Sequence, residues 1–176
     1  MKRKDLRRRT LSLTISALLS ALGVILLALG SLLETIDLSV AALASFFVIY
    51  AVIELKGAYP WMMWIVTAGL AWLLLPQKSP ALFYTLIGFY PILKEKAERF
   101  RPALSWALKL VFFHLSALLA YLGFRFLLTA SSMETRLWML ALTYLLALAG
   151  FVLYDVALSR LITFYLKKLR ARLGLK

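Results

Sequence analysis

Six stretches of nearly unbroken apolar residues run along the chain, at 10–33, 38–55, 60–75, 80–93, about 103–128 and about 136–164. None alternates apolar and polar residues as a half-buried or barrel strand does. Backbone inside lipid must satisfy its own hydrogen bonds, and continuous apolar segments do so as helices. The pattern therefore predicts an all-α, polytopic membrane helical bundle forming one transmembrane domain over residues 1–176. About 20 residues cross the hydrocarbon core as a helix. The first, fifth and sixth segments exceed that length and the second approaches it. The third is closed by Pro76 and the fourth is interrupted by Gly88 and Pro91, and both are short. Six spans are expected, with four spans plus a re-entrant hairpin as the alternative. Either count leaves the two termini on the same side.

Composition strengthens this picture. Of 176 residues, 63% are hydrophobic, and the mean hydropathy is +0.86. The net charge of +13 invites a nucleic-acid reading, but the positions of the charges argue for topology instead. Lys2, Arg3, Lys4, Arg7, Arg8 and Arg9 precede the first segment. Lys56 follows the second, and Lys94, Lys96, Arg99 and Arg101 follow the fourth. Lys167, Lys168, Arg170, Arg172 and Lys176 follow the sixth. All of these fall on one side. Only Lys78, Arg125 and Arg136 fall on the other, while Lys109 and Arg160 lie within spans. Basic loops face the cytoplasm, so both termini are expected there, in a multi-pass protein of the cell membrane. The first apolar run is longer than the core of a cleaved signal peptide. Tyr59, Trp61, Trp64, Trp72, Trp106 and Trp138 fall near span ends, where aromatic belts form.

The fifth segment carries the ionisable residues Lys109, His114 and Arg125. At about 100° per residue, Ser116, Ala120 and Gly123 fall within about 40° of Lys109. They form a small-residue face suited to close helix packing. His114, Tyr121 and Arg125 form a separate polar stripe that could line a cavity, with Trp138 as a neighbour. That stripe is the candidate substrate-binding site. Glu34, Asp37 and Glu134 could contribute from the outer loops. Lys109 and Asp155 fall at equal depth in a hairpin centred near residue 132, which predicts a structural ion pair. The alternative for Lys109 is that it snorkels towards the cytoplasmic surface.

The first segment contains Ser16-x-x-x-Ser20 and, one residue on, Ala17-x-x-x-Ala21, followed by Gly23, Ala28 and Gly30. Small residues four apart share a helix face and suit either packing within the bundle or docking of another membrane helix. A basic start, an Ala-x-x-x-Ala first span and six basic-inside spans resemble the substrate-binding S components of energy-coupling factor (ECF) vitamin transporters. The resemblance implies six helices around an outward-facing pocket for a vitamin or metal. It also implies docking through Ala17 and Ala21 onto a transmembrane coupling subunit that works with ATPase subunits. Size and span count are also similar to the shape-determining MreD family, whose fold is related. That likeness implies a membrane scaffold without a small-molecule substrate.

Catalytic signatures are missing. The chain has no Cys and one His, which leaves no thiolate or multi-histidine metal site. It contains no phosphate-binding Gly-rich loop, no H-E-x-x-H and no G-x-S-x-G. Tyr154-Asp155 weakly resembles an intramembrane aspartyl protease motif, but Asp155 has no second intramembrane aspartate. Neither enzyme activity nor a cofactor is expected.

Overall fold

Proline sets most of the helix starts. Its fixed φ suits the first turn, where the missing N–H costs nothing. In the computed structural model, Pro60, Pro80 and Pro91 sit at the first or second position of their helices, and Pro102 opens another. Pro76 has the opposite effect, since a residue before proline avoids the helical region. Leu75 is extended (ψ 132°) and ends its helix there.

The structure describes residues 3–33, 35–127 and 137–169. Among them the order is α1 (Arg3–Leu33), α2 (Asp37–Tyr50), α3 (Tyr59–Leu74), α4 (Ser79–Ile87), α5 (Tyr90–Ala97), α6 (Pro102–Leu127) and α7 (Leu137–Phe164). The described residues contain no strand. Two helices end in a wider turn, α2 through Ala51–Leu55 and α7 through Tyr165–Leu169. The turn after α2 closes with Lys56 N–H donating to Ala51 O at 2.9 Å. Lys56 (φ 55°) and Gly57 (φ 63°) then take left-handed backbone to turn the chain into α3.

Among the described residues, four stretches are long and apolar enough to cross a membrane: Arg9–Leu33, Asp37–Leu55, Pro102–Gly123 and Trp138–Lys168. The third predicted segment forms α3, with 16 residues, a length of about 24 Å at the helical rise. The fourth is broken. Its chain turns at Gly88–Phe89, and α5 continues to Ala97, past the expected end of the apolar run. Lys94 and Lys96 consequently stand on a helix, not in a loop, and Lys94 is only 2% exposed.

The chain divides into two compact units, Met1–Ala130 and Ser131–Lys176. In the first, α1 packs on α2 and α3, α2 on α4, and α4 and α5 on α6. Small residues make these contacts close. The core combines Ala41, Ala44, Ala68, Ala71 and Ala81 with Leu27, Val40, Val48, Leu75, Tyr84 and Ile92. A Cβ on Gly30 would meet Val40 at 3.2 Å, and one on Gly123 would meet Leu82 at 2.9 Å. Most large apolar side chains on the outer faces of α1, α3 and α6 are exposed, as expected of surfaces meeting lipid, where burial drives nothing. The second unit contains α7. It carries exposed Leu145, Leu146 and Leu153, and buried Asp155 and Leu158.

Candidate functional site

The small residues of α1 divide between two faces. Ser16, Ser20, Gly23, Leu27, Gly30 and Ser31 are buried and recur at three- and four-residue spacing, so they form one face. Gly23 approaches Thr67 of α3, where an added Cβ would lie 3.1 Å from the methyl group. Ser31 Oγ bonds the α3–α4 turn, accepting from Gln77 N–H at 3.1 Å. Ala17 and Ala21 point elsewhere, and both are exposed. The two overlapping motifs are therefore separated by a single residue step, or about 100°. The Ser16/Ser20 pair packs the bundle, and the Ala17/Ala21 pair leaves a shallow strip on its surface.

In α6, Lys109 and Gly123 are buried, Ser116 and Ala120 are half-buried, and Phe113 joins them on the inward face. The opposite stripe faces outward. His114 is exposed and Tyr121 is 48% exposed. The His114 ring nitrogen Nδ1 lies 2.7 Å from Leu110 O, a local bond within its own helix. Its ring also stands edge-on to Phe113 at 5.7 Å. The structure thus places His114 and Tyr121 on one face. The Arg125 side chain, Glu34 and Glu134 lie outside the described residues. Trp138 stands on α7, in the other unit, and is exposed. Asp37 is buried at the start of α2. Among the described residues, no group of three or more His, Asp or Glu side chains could hold a metal ion.

A charged cluster that sequence reasoning missed lies at the α5–α6 connection. Lys94 Nζ is 2.6 Å from Glu98 Oε1, and Lys109 Nζ donates to the same oxygen at 3.1 Å. Both lysines are buried and Glu98 is half-exposed. Partial burial opposes ionisation of Glu98, but hydrogen bonds and charge from Lys94 and Lys109 outweigh it. They hold the carboxyl below its ordinary value. Lys109 also stands 5.3 Å from the Trp106 ring centre, within cation–π range. Lys109 thus has a carboxylate partner in Glu98. The usable signal was the Lys94–Glu98 spacing of four, which makes neighbours on a helix. It was hidden because segment four appeared to end at Leu93.

Two of the tryptophans expected in interfacial belts also bond to a neighbouring helix. Trp64 Nε1 donates to Thr85 O at 3.1 Å and Trp72 Nε1 to Thr85 Oγ1 at 3.0 Å. These bonds stitch α3 to α4. Trp61, Trp64, Phe89 and Phe112 continue the contact as a chain of tilted and edge-on rings, with centres 5.3–6.3 Å apart.

The chain matches no protein-family model. No curated protein and no solved structure is significantly similar to it.

Proposed function

We propose that this protein is a docking subunit of a membrane-embedded assembly, meeting a partner transmembrane helix through the Ala17/Ala21 strip of α1. The observation that carries the reading is the division of α1's small residues. One set is used inside the bundle, and Ala17 and Ala21 remain on its surface. Two backbones can approach closely only where such small side chains meet. The expected setting is the cell membrane with both termini cytoplasmic, six spans or four plus a hairpin formed by α3–α5.

Two versions share this docking face. In the importer version, an ECF-type S component binds a small, vitamin-like molecule and docks on a coupling subunit served by ATPases. The scaffold version, MreD-like, needs no ligand. The outward exposure of His114 and Tyr121 favours the scaffold, because a substrate stripe should line a cavity. In both versions the Lys109–Asp155 ion pair remains part of the proposal.

Ala17→Trp and Ala21→Trp should each abolish co-purification of the partner while leaving the protein folded and monodisperse in detergent. Ser20→Trp, on the packed face, should instead unfold it. An intact complex with either alanine variant would overturn the docking role. A reproducible small-molecule adduct in native mass spectrometry would move the balance to the importer.

A further inference from the structure

The apolar surface of α7 runs into a shallow, open recess with mostly apolar walls, flanked by basic side chains. Ser159, Arg160, Thr163, Phe164, Lys167 and Lys168 line a recess of about 480 Å³. Arg160 and Phe164, four residues apart, share a face of α7, and Lys167 borders the same recess from the wider turn that follows. The Lys168 ammonium stands over the Phe164 ring, 5.6 Å from its centre. The hydroxyl protons are already committed. Ser159 donates to Asp155 O at 2.9 Å and Thr163 to Ser159 O at 2.8 Å. Recognition therefore falls to three exposed cations, which calls for an anion.

The position selects which anion. Trp138–Lys168 is 31 residues long, or about 46 Å as a helix, against a hydrocarbon core of about 30 Å. With Trp138 at one interface, Arg160 falls at the opposite boundary and Lys167 among the headgroups. Leu153 (70% exposed) and Val156 (43% exposed) lie seven and four residues before Arg160, on the same face. The groove thus continues into an apolar track on its membrane side, which a free phosphate would not use. Arginine suits the deeper position because its planar fork grips phosphate oxygens in pairs.

We propose that this groove binds an anionic phospholipid, with Arg160 and Lys167 on the headgroup phosphate and an acyl chain along Leu153 and Val156. The site depends on membrane insertion but not on docking through α1, so either can fail without the other.

Native mass spectrometry of the full-length protein, extracted in mild detergent and supplied with phosphatidylglycerol or phosphatidylcholine, tests it. The expected result is retention of phosphatidylglycerol and loss of phosphatidylcholine. Arg160→Gln and Lys167→Gln should each lower retention about fivefold, as expected for a basic group lost at an anionic surface. Arg101→Gln removes the same charge from an exposed loop and should change nothing. Equal loss with Arg101→Gln would show diffuse attraction only and overturn the site. So would equal retention of both lipids, or displacement by excess inorganic phosphate. Should Arg160→Gln fail to fold, Lys167→Gln at the exposed helix end decides alone. Unchanged retention in Lys167→Gln would then refute the site.

Discussion

Glu98 organises the most polar contact inside the first unit, and its chemistry gives a signed prediction. Its carboxyl is held below the ordinary glutamate value in the fold. Folding therefore favours the ionised form. This contribution is complete above the unfolded carboxyl's pKa and disappears as pH falls through the lower folded value. Thermal unfolding in detergent should accordingly show a stability loss on acidification from about pH 5 towards pH 3. Glu98→Gln should flatten that acid limb and lower the midpoint at neutral pH. An unchanged acid limb would detach Glu98 from stability. At this scale the sequence was partly legible. The Lys109 side of α6 was readable as a packing face because Ser116, Ala120 and Gly123 on it are small. Its Glu98 partner was not, because it belongs to a separate helix, α5, whose start depends on the chain breaking at Gly88–Phe89. The outward direction of His114 was also hidden, since a helical wheel separates faces without saying which one meets neighbours.

Among elements, the α3–α4 pair shows how apolar helices are held together where lipid competes on equal terms with hydrocarbon side chains. Thr85 accepts through both its carbonyl and its hydroxyl, and two indoles donate. Thr85→Val keeps shape but removes the Trp72 bond, and should cost about 0.6 kcal/mol, the average for interhelical hydrogen bonds in lipid, and at most about 1.7 kcal/mol. Equilibrium unfolding in mixed micelles measures it, and Trp72→Phe should reproduce most of the loss without adding to it in the double variant. The four long helices were readable because length and apolarity alone define them. The division of the fourth segment into α4 and α5 was harder. Gly88 and Pro91 mark the break, but Pro91 begins a new helix that recruits the polar run Lys94–Ala97 into regular structure.

For the whole molecule, the proposed Lys109–Asp155 ion pair concerns two buried charges that the sequence pattern sets at equal depth. Lys109 is 4% and Asp155 3% exposed, and reversing either charge should abolish folding. Exchanging them, Lys109→Asp with Asp155→Lys, should restore it. Absence of rescue in detergent-solubilised protein would leave Glu98 as the carboxylate that matters. The general class was open to sequence reasoning because a mean hydropathy of +0.86 admits few alternatives to membrane helices. The proposed docking role was less open, because the residues assigned to it are small and apolar. Only the packing distinguishes Ala17 from Ser16. One dimension has a consequence beyond the protein itself. The apolar wall of α3, with Ile65, Val66, Leu73 and Leu74 exposed, is about 24 Å tall beside a hydrocarbon layer of about 30 Å. In the six-span version of the proposal, acyl chains against that wall shorten by tilting or disordering. The bilayer around the protein is then lopsided, pinched along α3 and of ordinary depth along α1. A partner with an equally short span would relieve the pinch by settling there, so lipid deformation itself provides a second force for assembly, one that acts before any side chains touch.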